Sequence, residues 1–452
     1  MNILKKITDK RILYIFTFLI LVFLPILKQL SFYLVKFNVI KNYDSINPAY
    51  VLYFSIPFLI YIYIKNIRKS DRDFDICDYI FFALVLTAFI ASLFAIDSDI
   101  SWFGKEYRHE GFFTVLTYYL LFITWKVEGN KKDIKKIINV LIIMGVINSI
   151  YALFQLYTPF KFILRYTTDT DMVTGICGNP NFFGSLIVTV LSIVTVSFLI
   201  ESKIFIKNIL LIILFFISLI NSQSTGPFVT YLIVILFFII YLLIKKKTFI
   251  KNIIYLILML IITCFSVLII NRQLFNIEKC EICDFIGVFN NNKFEEGNNI
   301  DTEAPIYNIY TISNGRINLW KNSLQIVKDN PINGVGYDNF HLAYYEGVNL
   351  TSVVFISVDG VTKAIPKYPE IFDNAHNVYL HTLISSGFLG FITYILLCLF
   401  TFIKGLKTKD NLVMIIFGGF VAYSIQAFGN INVLQVTPIY YVIIGLILSS
   451  KQ

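Results

Sequence analysis

Apolar residues fall in runs of roughly 17–25 along most of this chain, the length at which a helix crosses a bilayer, and short polar stretches separate them. Lipid leaves the backbone no water to bond, so such runs are predicted to be helical. Twelve spans are expected, near 12–30, 46–64, 76–96, 111–127, 137–158, 181–200, 208–223, 226–244, 252–270, 377–403, 412–428 and 431–450. Asn221-Ser222-Gln223 interrupts the end of the seventh, and Pro438 falls inside the twelfth. One long polar stretch breaks the rhythm. It divides the chain into residues 1–270 with nine spans, a loop at 271–376, and residues 377–452 with three more. The expected fold is an all-α integral membrane protein with short helices in its one large loop. The first span is too long, and its end too poor in small residues, for a cleaved signal peptide.

Composition agrees, with 57% hydrophobic and 15% charged residues in 452, against about 25% charged in a soluble domain. The basic residues add an orientation. Lys5, Lys6, Lys10 and Arg11, then Lys65, Arg68, Lys69 and Arg72, Lys126 to Lys136, Lys203 and Lys207, Lys245 to Lys251, Lys404 to Lys409, and Lys451 occupy alternate loops. The positive-inside rule makes those loops and both termini cytoplasmic in a multi-pass cytoplasmic-membrane protein, and places 271–376 outside. That outer loop holds 8 Lys/Arg against 13 Asp/Glu, about −5, so the chain's net +9 belongs to the cytoplasmic rim. No basic face carries aromatic platforms, and a nucleic-acid partner is not expected.

The spans carry almost no ionisable residue at mid-membrane depth, where ion-coupled transporters place them. Of six cysteines, Cys280 and Cys283 form a Cys-x-x-Cys in the outer loop. A local disulfide or idle thiols is favoured there over zinc, which usually needs four ligands.

Polar chemistry collects on the outer side. Residues 278–310 are rich in Asn, Asp and Glu. After them a helix is predicted, capped by Ser313 or Asn314, with Ile317, Trp320, Leu324 and Val327 as its apolar stripe and Asn330-Pro331 as its stop. Arg316 falls in the first turn, where the helix dipole gives a cation no benefit. Three further stretches stand out: Trp102 to Gly111, containing Arg108 and His109; Thr174 to Gly184, whose Asn179-Pro180-Asn181 reads as a helix start with Asn181 able to cap; and Asp373-Asn374-Ala375-His376-Asn377.

His376-Asn377, nine residues, then Gly387-x-x-Gly390, preceded by Arg316, Trp320, Asn330-Pro331, Gly334-x-Gly336 and Phe340, resembles the O-antigen ligase/polymerase family. The resemblance covers most of the chain, with its twelve spans and one long outer loop. It implies a GT-C-like membrane glycosyltransferase that moves a glycan from undecaprenyl pyrophosphate to a glycan, lipid or protein acceptor, by inversion and with no metal or other cofactor. The chain departs from the family at Thr225, where a Ser-Arg-Gly arginine is common.

The residue types suit that chemistry. A pyrophosphate leaving group needs cations to hold it, and a guanidinium fork matches phosphate oxygens. An acceptor hydroxyl needs a base near neutral pH, which imidazole supplies. His376 and Arg316 are therefore the expected catalytic pair. Arg108, His109, Arg165, Asn377, Gly334 and Gly336 are candidate contacts to pyrophosphate or glycan, with Arg108 or Arg165 standing in for the missing arginine. The same residues have plainer readings: a solvated arginine, a salt-bridged loop at 105–110, a helix-start turn at 179–181. His341 and His381 carry no motif. The competing function is a non-enzymatic polysaccharide exporter or membrane sensor, in which His376 and Arg316 need not meet.

Overall fold

The computed structural model describes residues 9–41, 47–69, 74–157, 172–201, 205–275, 316–347, 353–358, 361–366 and 372–449. Each of the twelve predicted segments overlaps one of twelve helices, the last of which begins at Thr437 and not at 431. They are α1 (Asp9–Lys36), α2 (Tyr50–Lys69), α3 (Ile76–Leu93), α5 (Phe112–Glu128), α6 (Lys131–Tyr157), α7 (Pro180–Ile200), α8 (Ile206–Asn221), α9 (Thr225–Ile244), α10 (Ile250–Phe275), α13 (Val378–Lys407), α14 (Asn411–Gln426) and α15 (Thr437–Leu448). Short α4 (Ser98–Phe103) precedes α5, and α11 (Arg316–Asp329) and α12 (Phe340–Gly347) precede α13. Eight of the helices are long and apolar enough to cross a membrane; α8, α14 and α15 are apolar but shorter.

The helical reading needs one addition. Val353–Val358 and Val361–Pro366 pair as an antiparallel hairpin, β1–β2, inside the long loop. Both strands begin on valine and carry β-branched residues, which favour a pleated strand.

The centre of the bundle is α7. Of its apolar window 89% is buried, and it packs on α6, α8, α9 and α14. Gly184 lets α7 approach Pro227 of α9, and Gly418 and Gly419 let α14 approach Ser192 and Ile193 of α7, the small-residue packing used where no hydrophobic force drives helices together in lipid. In contrast, α10 leaves Ile254, Ile257, Leu258, Ile261, Ile262, Phe265 and Ile269 exposed, as a lipid-facing helix does.

Contacts between loops sort the two ends of the bundle. At one end Lys10 pairs with Asp133, Lys65 with Asp9, and Lys131 with Asp410, each at 2.5 Å. There too Lys126, 1% exposed, meets Asp75 and, at 3.2 Å, Asp78. These are the loops grouped by their lysines in the sequence. Among the described residues, the loops around 97–108, 338–339 and 373 bond to one another away from these pairs.

The expected helix after the long loop is present as α11, but its buried face differs. Leu319, Ser323, Ile326 and Val327 are buried, whereas Leu324 is 50% exposed. Helical spacing allowed more than one stripe; the seat of α11 against α12 and α13 selected this one. The cap of α7 is also corrected. Asn179, not Asn181, accepts the first-turn N–H, from Asn181 itself at 2.8 Å. Asn181 instead bonds Ser224 at the start of α9. Ser313, Asn314, Arg165, Cys280 and Cys283 lie outside the described residues.

Candidate active site

The site starts from a broken helix. Gly387, inside α13, has φ +64 and ψ −173, so the helical ladder stops there. The backbone groups released by the break find partners in the Asn330-to-Gly336 loop. Phe388 N–H donates to the Pro331 carbonyl at 2.8 Å, and the Ile384 and Ser385 carbonyls accept from Val335 and Gly336 N–H at 2.9 and 3.0 Å. The orphan groups of the kink are thereby satisfied. A Cβ on Gly387 would run into the Ile332 carbonyl, and one on Gly334 into Ile384 and Ser385. Gly334 and Gly336 both have positive φ. In this structure they seat one motif on the other through the backbone, and Gly390 brings α13 close to Thr87 of α3.

That docking positions α11 and the turn before α13. Trp320 donates its indole N–H to the Ala375 carbonyl at 2.9 Å. Arg316 lies one helical turn from Trp320, on the same face of α11, so the bond that anchors Trp320 beside Ala375 also brings Arg316 toward His376. Asn374 accepts the His376 N–H at 3.1 Å, and Asn377 caps α13 by accepting Leu380 N–H at 3.0 Å. The cap sets the chain's entry into α13; the imidazole of His376 stays partly exposed at its mouth. Burial, then the nearby Arg316 charge, lowers the His376 pKa below its ordinary value, with Arg108 adding to the effect and Asp373 opposing it. Lowering keeps the imidazole neutral, and so able to accept a proton, over a wider pH range. The Arg316 guanidinium, its own pKa lowered by burial, stands beside Gly429 in the turn after α14.

A third segment completes the group. The 105–110 turn wraps around Asp338, which is 1% exposed. Asp338 accepts Lys105 N–H at 2.8 Å, Glu110 N–H at 3.2 Å and Arg108 Nε at 2.9 Å. Arg108 then reaches Asp373 through Nη1 at 3.2 Å, while its buried Nη2 has no partner. Burial would lower the Arg108 pKa; Asp338, Asp373 and Glu110 more than offset that and raise it. Glu110 accepts Tyr118 OH at 2.9 Å on one oxygen and leaves the other buried without a partner. Burial, opposed by Arg108, pushes its carboxyl up to about 7. Lys28 enters from α1 and donates to the Tyr107 carbonyl at 3.0 Å. His109 faces Asn47 at 3.5 Å, on the side of its turn toward α2.

Four of the seven non-glycine residues with positive φ, Tyr107, His109, Asp338 and His376, belong to this group. Such conformations cost of order 1–3 kcal/mol each and persist where surroundings over-determine them. Among the described residues no three His, Cys, Asp or Glu side chains form a metal-ligand cluster. Two cavities among the described residues lie elsewhere. One of about 360 Å³ between α1 and α6, and one of about 560 Å³ among α7, α8 and α10, are apolar grooves open to lipid.

Of the expected residues, the structure brings together His376, Asn377, Arg316 and Arg108, with Gly334 and Gly336 beneath them in the packing. Thr225 begins α9, and its neighbour Gly226 faces Gln426, three residues before Gly429. Sequence reading passed over Asp338, Asp373, Glu110 and Lys28. Asp373 stands three residues before His376 and Asp338 two after Gly336, but nothing in the sequence pairs either with Arg108.

These features define a polytopic membrane protein with a buried polar group at one end of its bundle, beside a partly exposed histidine. Residues 210–395 match the O-antigen ligase family model, Wzy_C, and in that segment the chain is similar to the O-antigen ligase/polymerase family. The match runs from α8 into α13 and includes Arg316 and His376, but not Arg108. No curated protein matches the chain. The family suggests glycan transfer at a membrane as the function class.

Proposed function

We propose that this protein moves a glycan from undecaprenyl pyrophosphate to an acceptor hydroxyl on the extracytoplasmic face of the cytoplasmic membrane, as a cell-surface polysaccharide ligase or polymerase. The observation that supports it most is the convergence of His376 and Arg316. They are 60 residues apart in sequence, yet the bond from the Trp320 indole to the Ala375 carbonyl seats the helix that carries Arg316 against the turn of His376. In this reading twelve spans, arranged as in GT-C enzymes, place that pair outside and both termini in the cytoplasm.

His376 takes the proton of the acceptor hydroxyl. The oxygen attacks the anomeric carbon, the bond from that carbon to the pyrophosphate oxygen breaks, and pyrophosphate leaves with the electron pair. A single displacement inverts the carbon. General-base help of this kind is typically worth ~10²–10⁴-fold. Arg316 holds the charge that develops on the leaving group, and the reading assigns that work to guanidinium groups instead of a metal. Asn377 supports His376 by fixing the start of α13. Arg108, with one N–H uncommitted, and Arg165 are the candidates for a second cation at the pyrophosphate; His109, Gly334 and Gly336 are candidate contacts to the glycan. Loss of activity in Arg108→Ala but not in Arg165→Ala would choose between the two arginines.

The test is transfer by purified protein in lipid nanodiscs, with an undecaprenyl-pyrophosphate-linked glycan and candidate acceptors, read as elongated or ligated product. Transfer that His376→Ala abolishes supports the reading. Full transfer by a stably inserted His376→Ala overturns the base assignment, and no transfer to any acceptor overturns the function.

A further inference from the structure

Asp338 and Asp373 hold the two ends of one guanidinium, although they stand on loops whose positions no local hydrogen bond links. Asp338 takes three donors from the 105–110 turn, so that turn is rigid against the Gly334-to-Gly336 loop and the α13 kink. Arg108 leaves the turn at a fixed angle because its Nε is already committed. Its Nη1 then meets the Asp373 carboxylate, three residues before His376. The His376 turn is thus held from two sides, by Trp320 of α11 at Ala375 and by Arg108 at Asp373.

We propose that Arg108 and Asp373 are positioning residues: the Asp338–Arg108–Asp373 chain fixes the turn that presents His376, and places one negative and one positive charge beside the imidazole. This rests on the reading of His376 as the base, and extends it to the residues that set where that base stands and how it is charged. A guanidinium suits the task because it bonds in two directions from one rigid plane. The Arg108 guanidinium is buried while the Asp373 side chain is half-exposed, so loss of Asp373 leaves a buried charge less compensated and loss of Arg108 frees the turn of His376.

The charged and titratable groups around His376 are Arg316 from α11, Arg108 from the 105–110 turn, Asp373 on its own turn, and His381 in the first turn of α13. Arg316 and Arg108 disfavour the imidazolium and Asp373 favours it. The two partners of one ion pair therefore act on His376 with opposite sign.

The experiment is NMR titration of the full chain in nanodiscs with labelled histidine. The protein has four histidines, and the His376 signal is assigned by its loss in His376→Gln. Asp373→Asn should move the His376 titration down by about one pH unit, the size of a close-charge effect. Asp373→Glu should restore it, and Arg108→Gln should move it up. No movement of the His376 titration in Asp373→Asn, or a shift there that Asp373→Glu leaves in place, overturns the proposal. Asp373 is 45% exposed at its side chain, so Asp373→Asn carries the test alone if Arg108→Gln does not fold. The titration needs no turnover. A failed base assignment, seen as full transfer by His376→Ala, is therefore distinguishable from a failed positioning assignment.

Discussion

Two buried basic residues at opposite ends of the bundle look alike in the sequence and differ in the fold. Lys126 and Arg108 are both nearly inaccessible, and each touches two aspartates. Around Lys126 the charges are spent on structure. Asp78 also accepts Tyr63 OH at 3.0 Å and Asp75 N–H at 3.0 Å, and Asp75 caps α3. The cluster ties α2, α3 and α5 together. Around Arg108 the balance is incomplete: Nη2, one oxygen of Glu110 and the Asn374 side-chain N–H are buried without partners, and the backbone holds four strained residues. Buried polar groups are normally paired, and an exception asks for an explanation. A tie that serves only the fold saturates its donors; a group that must still meet a substrate keeps some free.

The largest effect that would break this contrast lies at His376. His376→Ala should lower transfer by ~10²–10⁴-fold with an unchanged melting profile; equal loss from Lys126→Met, per folded molecule, would erase the distinction between the two ends. Lys126→Met should instead cost about 3–5 kcal/mol of stability, the usual result of leaving a buried charge unpaired, and leave transfer per folded molecule at the wild-type level. Differential scanning of the two variants beside a transfer assay separates these outcomes.

Gly387→Ala should damage both properties, because it forces a Cβ against the Ile332 carbonyl in a backbone conformation (φ +64, ψ −173) that is essentially reserved for glycine; that strain alone costs of order 1–3 kcal/mol. Reduced expression with residual activity fits this, and a neutral substitution would mean the kink is not fixed by Gly387.

Smaller effects concern pH. A base must be neutral to act, so the acid limb of kcat/KM should lie below the ordinary histidine value, and activity should fall only as pH drops through the lowered His376 pKa. Glu110 acts in another window. Its folded carboxyl is pushed up to about 7 from 4.5, so the folded state binds more protons than the unfolded state between those values. Stability then declines as pH rises from about 4.5 through 7, the reverse of the usual carboxylate. Glu110→Gln should flatten that decline in a melting-temperature series; an unchanged slope would place the titration on another group.

Much of the fold was legible from hydropathy because backbone in lipid has few choices, and each predicted segment overlaps a helix. The site was legible in part. His376, Asn377, Arg316 and Trp320 were marked by a run of residues that resembles the family's. Asp338, Asp373 and Glu110 were not legible, since an aspartate in a polar loop looks the same whether it faces water or a guanidinium 230 residues away. The buried face of α11 was missed for a related reason: helical periodicity allows several stripes, and only the neighbours choose.

The sequence by itself determined the membrane class, the segments that become helices, the alternation of basic loops and the chemical types available in the loops between them. All of these follow from local hydropathy and charge. The tertiary structure decided which polar groups meet. It did so by docking the Gly334-to-Gly336 loop onto the broken ladder at Gly387, which fixes α11, Asp338 and, through Arg108, the turn of His376. Those bonds join segments far apart in the chain, and their geometry exists only once the bundle has closed.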